Sequence, residues 1–360
     1  MTAPTAVLLS YRLGGADGVA VESAKWESAL RSLGFATRRV AGHYDDAQRP
    51  DDTALPFLRI DGAGAAVDRD GLARAVIDAD LIVVENICSL PVNPVAATVT
   101  GAVLATVSGR VLLHHHDLPW ERHEFIHRSD FPPALAGVLH VTISDHARKE
   151  LARRGIDAHT VRNAFEPRPP PGDRAGTRRH LGISESEIVV LQPTRAIPRK
   201  RVDVGLDLGE RLATAIPDRA LLYWLTGPAE DVYGRALERI LADARIRVLT
   251  GRTARAVDAY AAADLVVMPS SWEGFGNPVA EAMLARRPVA CAGYPVLNEL
   301  LALGLQVLPV ADAARVARFI REPDNALLER NRDIVARELS VRDLPDRLAA
   351  LFVQVGWGHW

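Results

Sequence analysis

The sequence predicts an α/β protein made of two doubly wound, Rossmann-like domains. Three observations predict it. The chain has 360 residues, more than one hydrophobic core of ordinary size serves. Apolar runs of strand length alternate with stretches at helical spacing in both halves, the pattern of parallel strands joined by crossover helices. Between the halves, "EPRPPPGDRAG" (Glu166–Gly176) stops all periodicity with successive prolines that suit neither a helix interior nor a central strand. The expected organisation is an N-terminal domain over 1–167, a C-terminal domain over 168–340, and a helix or tail over 341–360 that packs back on the first domain. Two such domains facing each other would enclose a deep cleft lined by strand ends.

In the first half, "AVLLS" reads as a buried strand, followed by the loop Gly14-Gly15-Ala16-Asp17-Gly18. Val21, Ala24, Trp26, Leu30 and Leu33 then carry a helix that Gly34 closes. "ATRRVAG" is the next strand, "GLARAVIDA" a helix, and "DLIVVENI", "GRVLLHHHD" and "VLHVTIS" are strands. "DHARKELARRG" is a helix for which Asp145 is a suitable cap. Past the proline-rich break, strands are expected at "EIVVLQPTR", "ALLYWLTG", "IRVLTG", "DLVVMPS" and "PVACAG". Helices are expected at "RVDVGLDLGERLAT", "VYGRALERILADA", "RAVDAYAAA" and "PVAEAMLARR". Phe352, Trp357 and Trp360 make the tail too apolar for free solvation.

A net charge of −2 from 43 basic and 45 acidic residues offers no positive field for nucleic acid. Cys88 and Cys291 sit beside apolar runs and read as buried thiols in a reducing compartment. The first residues form no leader-like segment, and no apolar run reaches membrane-spanning length, so a cytoplasmic location is expected.

The chemistry concentrates at strand ends. Gly14-Gly15 lets backbone amides approach an anion, although neither G-x-G-x-x-G nor a G-K-[ST] loop is present; a plain tight turn explains the pair equally well. His114, His115, His116 and Asp117 end one strand, where alternation prevents three neighbouring histidines from converging. A zinc site would use His114, His116 and Asp117, but no second ligand cluster supports it, and no metal is expected. Asp78-x-Asp80 lies at the wrong, N-terminal edge of its strand for a ligand crevice. Arg195 and Lys200 place a planar fork and a compact cation close enough for a diphosphate, with a solvated basic loop as the alternative; Arg199 and Arg201 are the neighbours most easily mistaken for them. In "SSWEGFGNPVAEAM", Gly274 and Gly276 open backbone amides, Pro278 starts a helix, and Glu281 sits among apolar neighbours that make a surface ion pair less comfortable. Glu273 and Glu281 need not serve the same bond.

These motifs resemble family-four retaining glycosyltransferases of GT-B architecture. Glu273 and Glu281 match that family's E-x7-E pair, and "EGFGNPVAEAM" its surroundings. Gly14-Gly15, His116-Asp117, "TISDHARKEL", "VRNAF" and "PTRAIPRK" match its other landmarks in order along most of the chain. The resemblance implies amides at Gly14 and Gly15 near the donor phosphate and His116 on a hydroxyl of the transferred sugar. It implies Arg195 and Lys200 on the diphosphate, and Glu273 with Gly274, Phe275, Gly276, Asn277 and Pro278 around the sugar. Glu281 would hold the ribose. Asn277 departs from the usual leucine-like residue, and Pro193 and Pro198 replace a glycine-richer strand exit.

The implied reaction moves a hexose-type sugar from a UDP, GDP or ADP sugar to an acceptor hydroxyl with retention, by metal-independent front-face attack. No cofactor beyond the donor is expected. The rivals are a GT-B nucleotide-sugar epimerase, a phosphorylase, a glycosidase, and a non-catalytic sugar-binding protein. The expected partners are the nucleotide sugar and a small hydroxyl-bearing acceptor, with peripheral membrane contact and a homodimer left open.

Overall fold

The computed structural model describes residues 3–230 and 233–358. Val232, the first residue of one expected helix, and Trp360 of the tail lie outside the described residues. The chain divides into two compact units, one formed by residues up to 164 together with those from 341 onward, the other by 165–340.

The first unit holds a seven-stranded sheet. Its strands are β1 (Thr5–Leu13), β2 (Ala36–Tyr44), β3 (Thr53–Ala54), β4 (Leu81–Glu85), β5 (Arg110–His115), β6 (Leu139–Thr142) and β7 (His159–Thr160). Their order is β3-β2-β1-β4-β5-β6-β7, with every pairing parallel. The order reverses between β1 and β4, where Ser10 lies beside Glu85, and Glu85 lies in turn beside His114. Ligand crevices of open α/β sheets form outside the carboxyl ends of strands at such a reversal.

The second unit holds β8 (Ile188–Gln192), β9 (Leu221–Leu225), β10 (Arg247–Thr250), β11 (Leu265–Met268), β12 (Val289–Cys291) and β13 (Leu308–Pro309). Their order is β10-β9-β8-β11-β12-β13, again parallel. The reversal here falls between β8 and β11. All residues of β4, β8, β9 and β11 are buried, which is why they read as unbroken apolar runs rather than alternating ones. Both units are thus doubly wound.

The helix Leu344–Gln354 belongs to the first unit. Leu344, Leu348, Leu351 and Phe352 pack with Trp26, Leu30, Phe35, Leu112 and Val141 in one buried cluster. The Trp357 ring stacks on Phe352 at 5.6 Å. Cys88 and Cys291 are both buried free thiols. Among the described residues, no helix is long and apolar enough to cross a membrane.

Local differences from the sequence reading have identifiable causes. Ser144, not Asp145, caps the helix Asp145–Ala152: its extended backbone lets its hydroxyl accept from the Ala147 amide. Asp145 instead binds Thr160 at 2.8 Å and Arg162 at 2.5 Å. Within the proline-rich stretch, Asp173 accepts from the Gly176 amide and starts the helix Arg174–His180. The helices Pro94–Leu104 and Asn325–Glu338 were not expected from periodicity; Asn93 and Asp324 cap them. At the N-terminal edge of β4, Asp80 accepts from the Thr5 amide and Asp78 pairs with Arg38, so both acidic residues serve the turn.

Candidate functional site

In the second unit the chain leaves β8 at Gln192, whose buried amide fixes the following loop. It donates to Thr194 Oγ1 at 3.1 Å and to the Lys200 carbonyl at 2.9 Å, and its carbonyl accepts from Tyr223. The loop ends in the short helix Pro198–Lys200, and Arg201 takes a left-handed backbone before the helix Val202–Ala215. Lys200 is thereby buried and held over the loop that follows β11.

That second loop carries Glu273. Lys200 Nζ lies 2.6 Å from both carboxylate oxygens. Arg199 donates to the Trp272 carbonyl at 2.8 Å and approaches Glu273 at 3.4 Å, while the Ser271 amide donates back to the Arg199 carbonyl. Burial draws Lys200 down to about 8, against the opposing pull of Glu273. Burial also works against ionisation of Glu273, but Lys200 and Arg199 outweigh it and hold the carboxyl below its ordinary range. At neutral pH the cluster is a buried ion pair with a second cation beside it. Arg195 stands apart from this pair: half-exposed, it binds Glu230 at 2.6 Å.

Beyond Glu273, the buried Phe275 ring packs at 6.1 Å from Phe165. Gly276 adopts φ +96° and caps the helix Asn277–Leu284, which has Pro278 in its first turn. A Cβ at Gly276 would meet the Tyr294 hydroxyl at 2.3 Å, so this position requires glycine for conformation and for space. The first-turn amides of such a helix lack intrahelical acceptors and suit an anion. One helical turn further, Glu281 is part-buried and accepts from the buried Tyr260 hydroxyl at 2.5 Å.

The first unit gathers a different set. Glu85 ends β4 fully buried, and its Oε2 bonds His114 Nδ1 at 2.9 Å and His116 Nε2 at 2.7 Å. Burial alone would raise Glu85, yet the two histidines hold it at about 2. His115 faces the other way, to Ser89 at 2.6 Å and His140 at 3.0 Å, as strand alternation requires. Asp117 pairs with Arg122 and is not one of the three residues whose ligand atoms converge beside it. Asn86 fixes the turn by accepting from the His116 and Asp117 amides. Glu85, His114 and His116 offer three ligand atoms within 4.8 Å of one another, a set compatible with zinc in type. Here both ring nitrogens hydrogen-bond the one Glu85 oxygen.

Gly14 and Gly15 lie against carboxylates. A Cβ on Gly14 would strike Asp46 and one on Gly15 would strike Asp45. Asp17 already caps the following helix through the Val19 and Ala20 amides and pairs with Arg12. The chain's own carboxylate therefore occupies the place an anion would take at this helix.

Sequence reasoning did not single out Glu85 or Tyr260, and it set Arg199 aside as a neighbour of Arg195 and Lys200. The visible signal for Glu85 was a carboxylate closing the apolar run "LIVV" at the ligand-bearing edge of a buried strand.

Residues 188–322 match the family model described as "Glycosyl transferases group 1". Across 91% of both chains, this protein is 24% identical to mannosylglucosylglycerate synthase of Petrotoga mobilis. It is 26% identical to the Thermotoga maritima enzyme of the same name, over 92% of this chain and 91% of that one. Over 52% of its length it is 32% identical to D-inositol 3-phosphate glycosyltransferase of Geodermatophilus obscurus, covering 45% of that protein. Among solved structures, it is similar to Anabaena HepE in complex with UDP-glucose. The TM-score is 0.76 at 18% identity, over 97% of this chain and 99% of the other. Sucrose-phosphate synthase from Thermosynechococcus elongatus gives 0.72 at 17% identity, over 98% and 99%. These likenesses show the GT-B fold.

Proposed function

We propose that this protein is a retaining glycosyltransferase that moves a hexose-type sugar from a nucleotide-diphosphate sugar to an acceptor hydroxyl without a metal ion. The observation that carries the reading is the buried Lys200–Glu273–Arg199 cluster, set at the carboxyl ends of β8 and β11 where the second sheet reverses. Breaking the anomeric bond releases a diphosphate, and preorganised cations out of water are the most effective stabilisers of that charge. Lys200 and Arg199 are such cations, and Arg195 adds a third at the loop's start. Glu273 neutralises Lys200 before donor binds. Once the diphosphate provides the counter-charge, the Glu273 oxygens are released to accept from sugar hydroxyls. The amides at Phe275, Gly276 and Asn277 complete the sugar and phosphate contacts, and Glu281 binds the ribose diol.

An anion at Gly15 would meet the Asp45 and Asp17 carboxylates, so the donor charge is assigned here to the second unit. His116 is assigned to a sugar hydroxyl. The acceptor hydroxyl attacks on the leaving-group face, and a donor phosphate oxygen takes its proton. The names of the full-length relatives, both making mannosylglucosylglycerate, make a mannosyl donor and a small polar glycoside acceptor the first pair to try.

A thermal-shift panel of UDP-glucose, GDP-mannose and ADP-glucose tests the reading. The true donor at about 100 times its Kd stabilises the folded state by about 2.7 kcal/mol. Release of nucleoside diphosphate on adding acceptor should follow. No shift with any nucleotide sugar, together with hydrolysis of a simple glycoside, would overturn the assignment.

Tyr260 provides a finer check. Its hydroxyl fixes the Glu281 carboxylate, so Tyr260→Phe should raise the donor KM about tenfold, the worth of one hydrogen bond to a charged group, with kcat nearly unchanged. Equal loss in kcat and kcat/KM would place Glu281 at the reacting sugar instead.

A further inference from the structure

We propose that the Tyr294 hydroxyl is a further donor-binding group, which gives a hydrogen bond to a hydroxyl oxygen of the transferred sugar beside the amides at Gly276 and Asn277. This rests on the assignment of that loop to the sugar. β12 lies beside β11 in the second sheet, so the turn that follows it reaches the loop that follows β11. Tyr294 sits in that turn, with extended backbone just ahead of the helix Pro295–Ala302. It is only 4% exposed, and its ring points at Gly276. A Cβ at Gly276 would lie 2.3 Å from the hydroxyl oxygen and 3.4 Å from the ring carbon that bears it. The hydroxyl thus stands where a side chain at position 276 would begin.

Two unfinished features meet at this point. The helix Asn277–Leu284 begins without a side-chain cap, because its N-cap residue is Gly276. Serine, threonine, aspartate or asparagine at that place would offer an oxygen to the first-turn amides. The Tyr294 hydroxyl, in turn, is a buried atom with no hydrogen-bond partner among the described residues. A buried hydroxyl left unmatched is costly and is rare in folded proteins. Amide N–H groups and a phenol O–H all offer protons, so an oxygen from outside the chain completes them together. Burial, then the neighbouring Cys291 and Glu273, push the phenol well above its ordinary range, and it keeps its proton to donate. The Glu273 carboxylate also selects the kind of oxygen. A neutral sugar hydroxyl is tolerated beside it, whereas a phosphate oxygen meets like charge. The diphosphate belongs with Lys200 and Arg199.

Tyr294→Phe tests this through two readouts that move in opposite directions. Without ligand, the variant should be at least as stable as the wild type in urea unfolding, because it removes an unpartnered polar group from the interior. Its affinity for the donor should fall about three- to tenfold, the worth of one hydrogen bond between uncharged groups. Calorimetric titration with UDP-glucose, GDP-mannose and ADP-glucose, each beside its free diphosphate UDP, GDP or ADP, locates the contact. The free diphosphate should bind both proteins alike. Equal weakening of nucleotide sugar and free diphosphate would overturn the sugar contact and put the hydroxyl on phosphate. A destabilised variant with equal losses for every ligand would reduce Tyr294 to a structural cap. Unchanged affinity for the nucleotide sugar would sink the Tyr294 contact and leave the transferase reading intact. A wild type that binds none of the three nucleotide sugars would sink both.

Discussion

Replacing Lys200 with alanine is expected to lower turnover by about 100- to 1000-fold, the range for removing one preorganised charge stabiliser from a water-excluded site. The loss should appear in kcat and kcat/KM together, because the diphosphate's charge grows as the anomeric bond breaks. The variant also leaves Glu273 buried without its main partner. Breaking a buried pair costs about 3–5 kcal/mol, so urea unfolding must accompany the kinetics. Lys200→Arg keeps the charge but not the compact geometry and should recover stability more than rate.

The pH dependence of the wild type follows from the same residue. Lys200 titrates near 8 when buried, against an ordinary value of 10.5. Its folded value is depressed, so its contribution to stability is present above 10.5 and lost as pH falls through about 8. Holding it charged at neutral pH is therefore a cost to folding, retained in a place where charge is useful. Activity runs the opposite way: kcat/KM should fall as pH rises through about 8, and bound donor should move the kcat limb upward. Near-normal turnover by Lys200→Ala, or a flat profile across that range, would contradict the role.

Gly276→Ala is the second large effect. The left-handed backbone costs a non-glycine residue about 1–2 kcal/mol, and the added methyl would sit 2.3 Å from the Tyr294 hydroxyl. Tyr294 is buried, so the loop must yield, and the total destabilisation should reach about 2–4 kcal/mol with loss of donor binding. In a Tyr294→Phe background the nearest remaining ring atom is 3.4 Å away, an ordinary contact. Gly276→Ala should then cost only the backbone strain. A double-mutant cycle with no coupling would show that the clash is relieved elsewhere.

The doubly wound fold was legible because strands buried on both faces produce apolar runs that survive any local ambiguity; "LIVV" and "IVVL" are unmistakable. Helices without a polar face were not legible. Pro94–Leu104 reads "PVAATVTGAVL", small and apolar all round, so no period marks it and only the Asn93-Pro94 start signal remains. The same limit applied to chemistry. Glu273 and Lys200 stood out by their setting, and the structure brings them within 2.6 Å. Arg199 looked like a solvated neighbour because spacing alone does not reveal which way a short helix turns its side chains. Glu85 was hidden because its partners, His114 and His116, lie on the adjacent strand and just past its end, and strand adjacency is a property of topology.

The return of Leu344–Gln354 to the first unit has a consequence for biogenesis. Translation makes the first sheet early, but the residues that cover Trp26, Leu30 and Phe35 emerge only after all of 165–340. The unit begun first is thus the one finished last, and until then it presents a greasy, half-dressed face to its surroundings. The second unit, contiguous in the chain, is under no such delay and can mature while its predecessor waits.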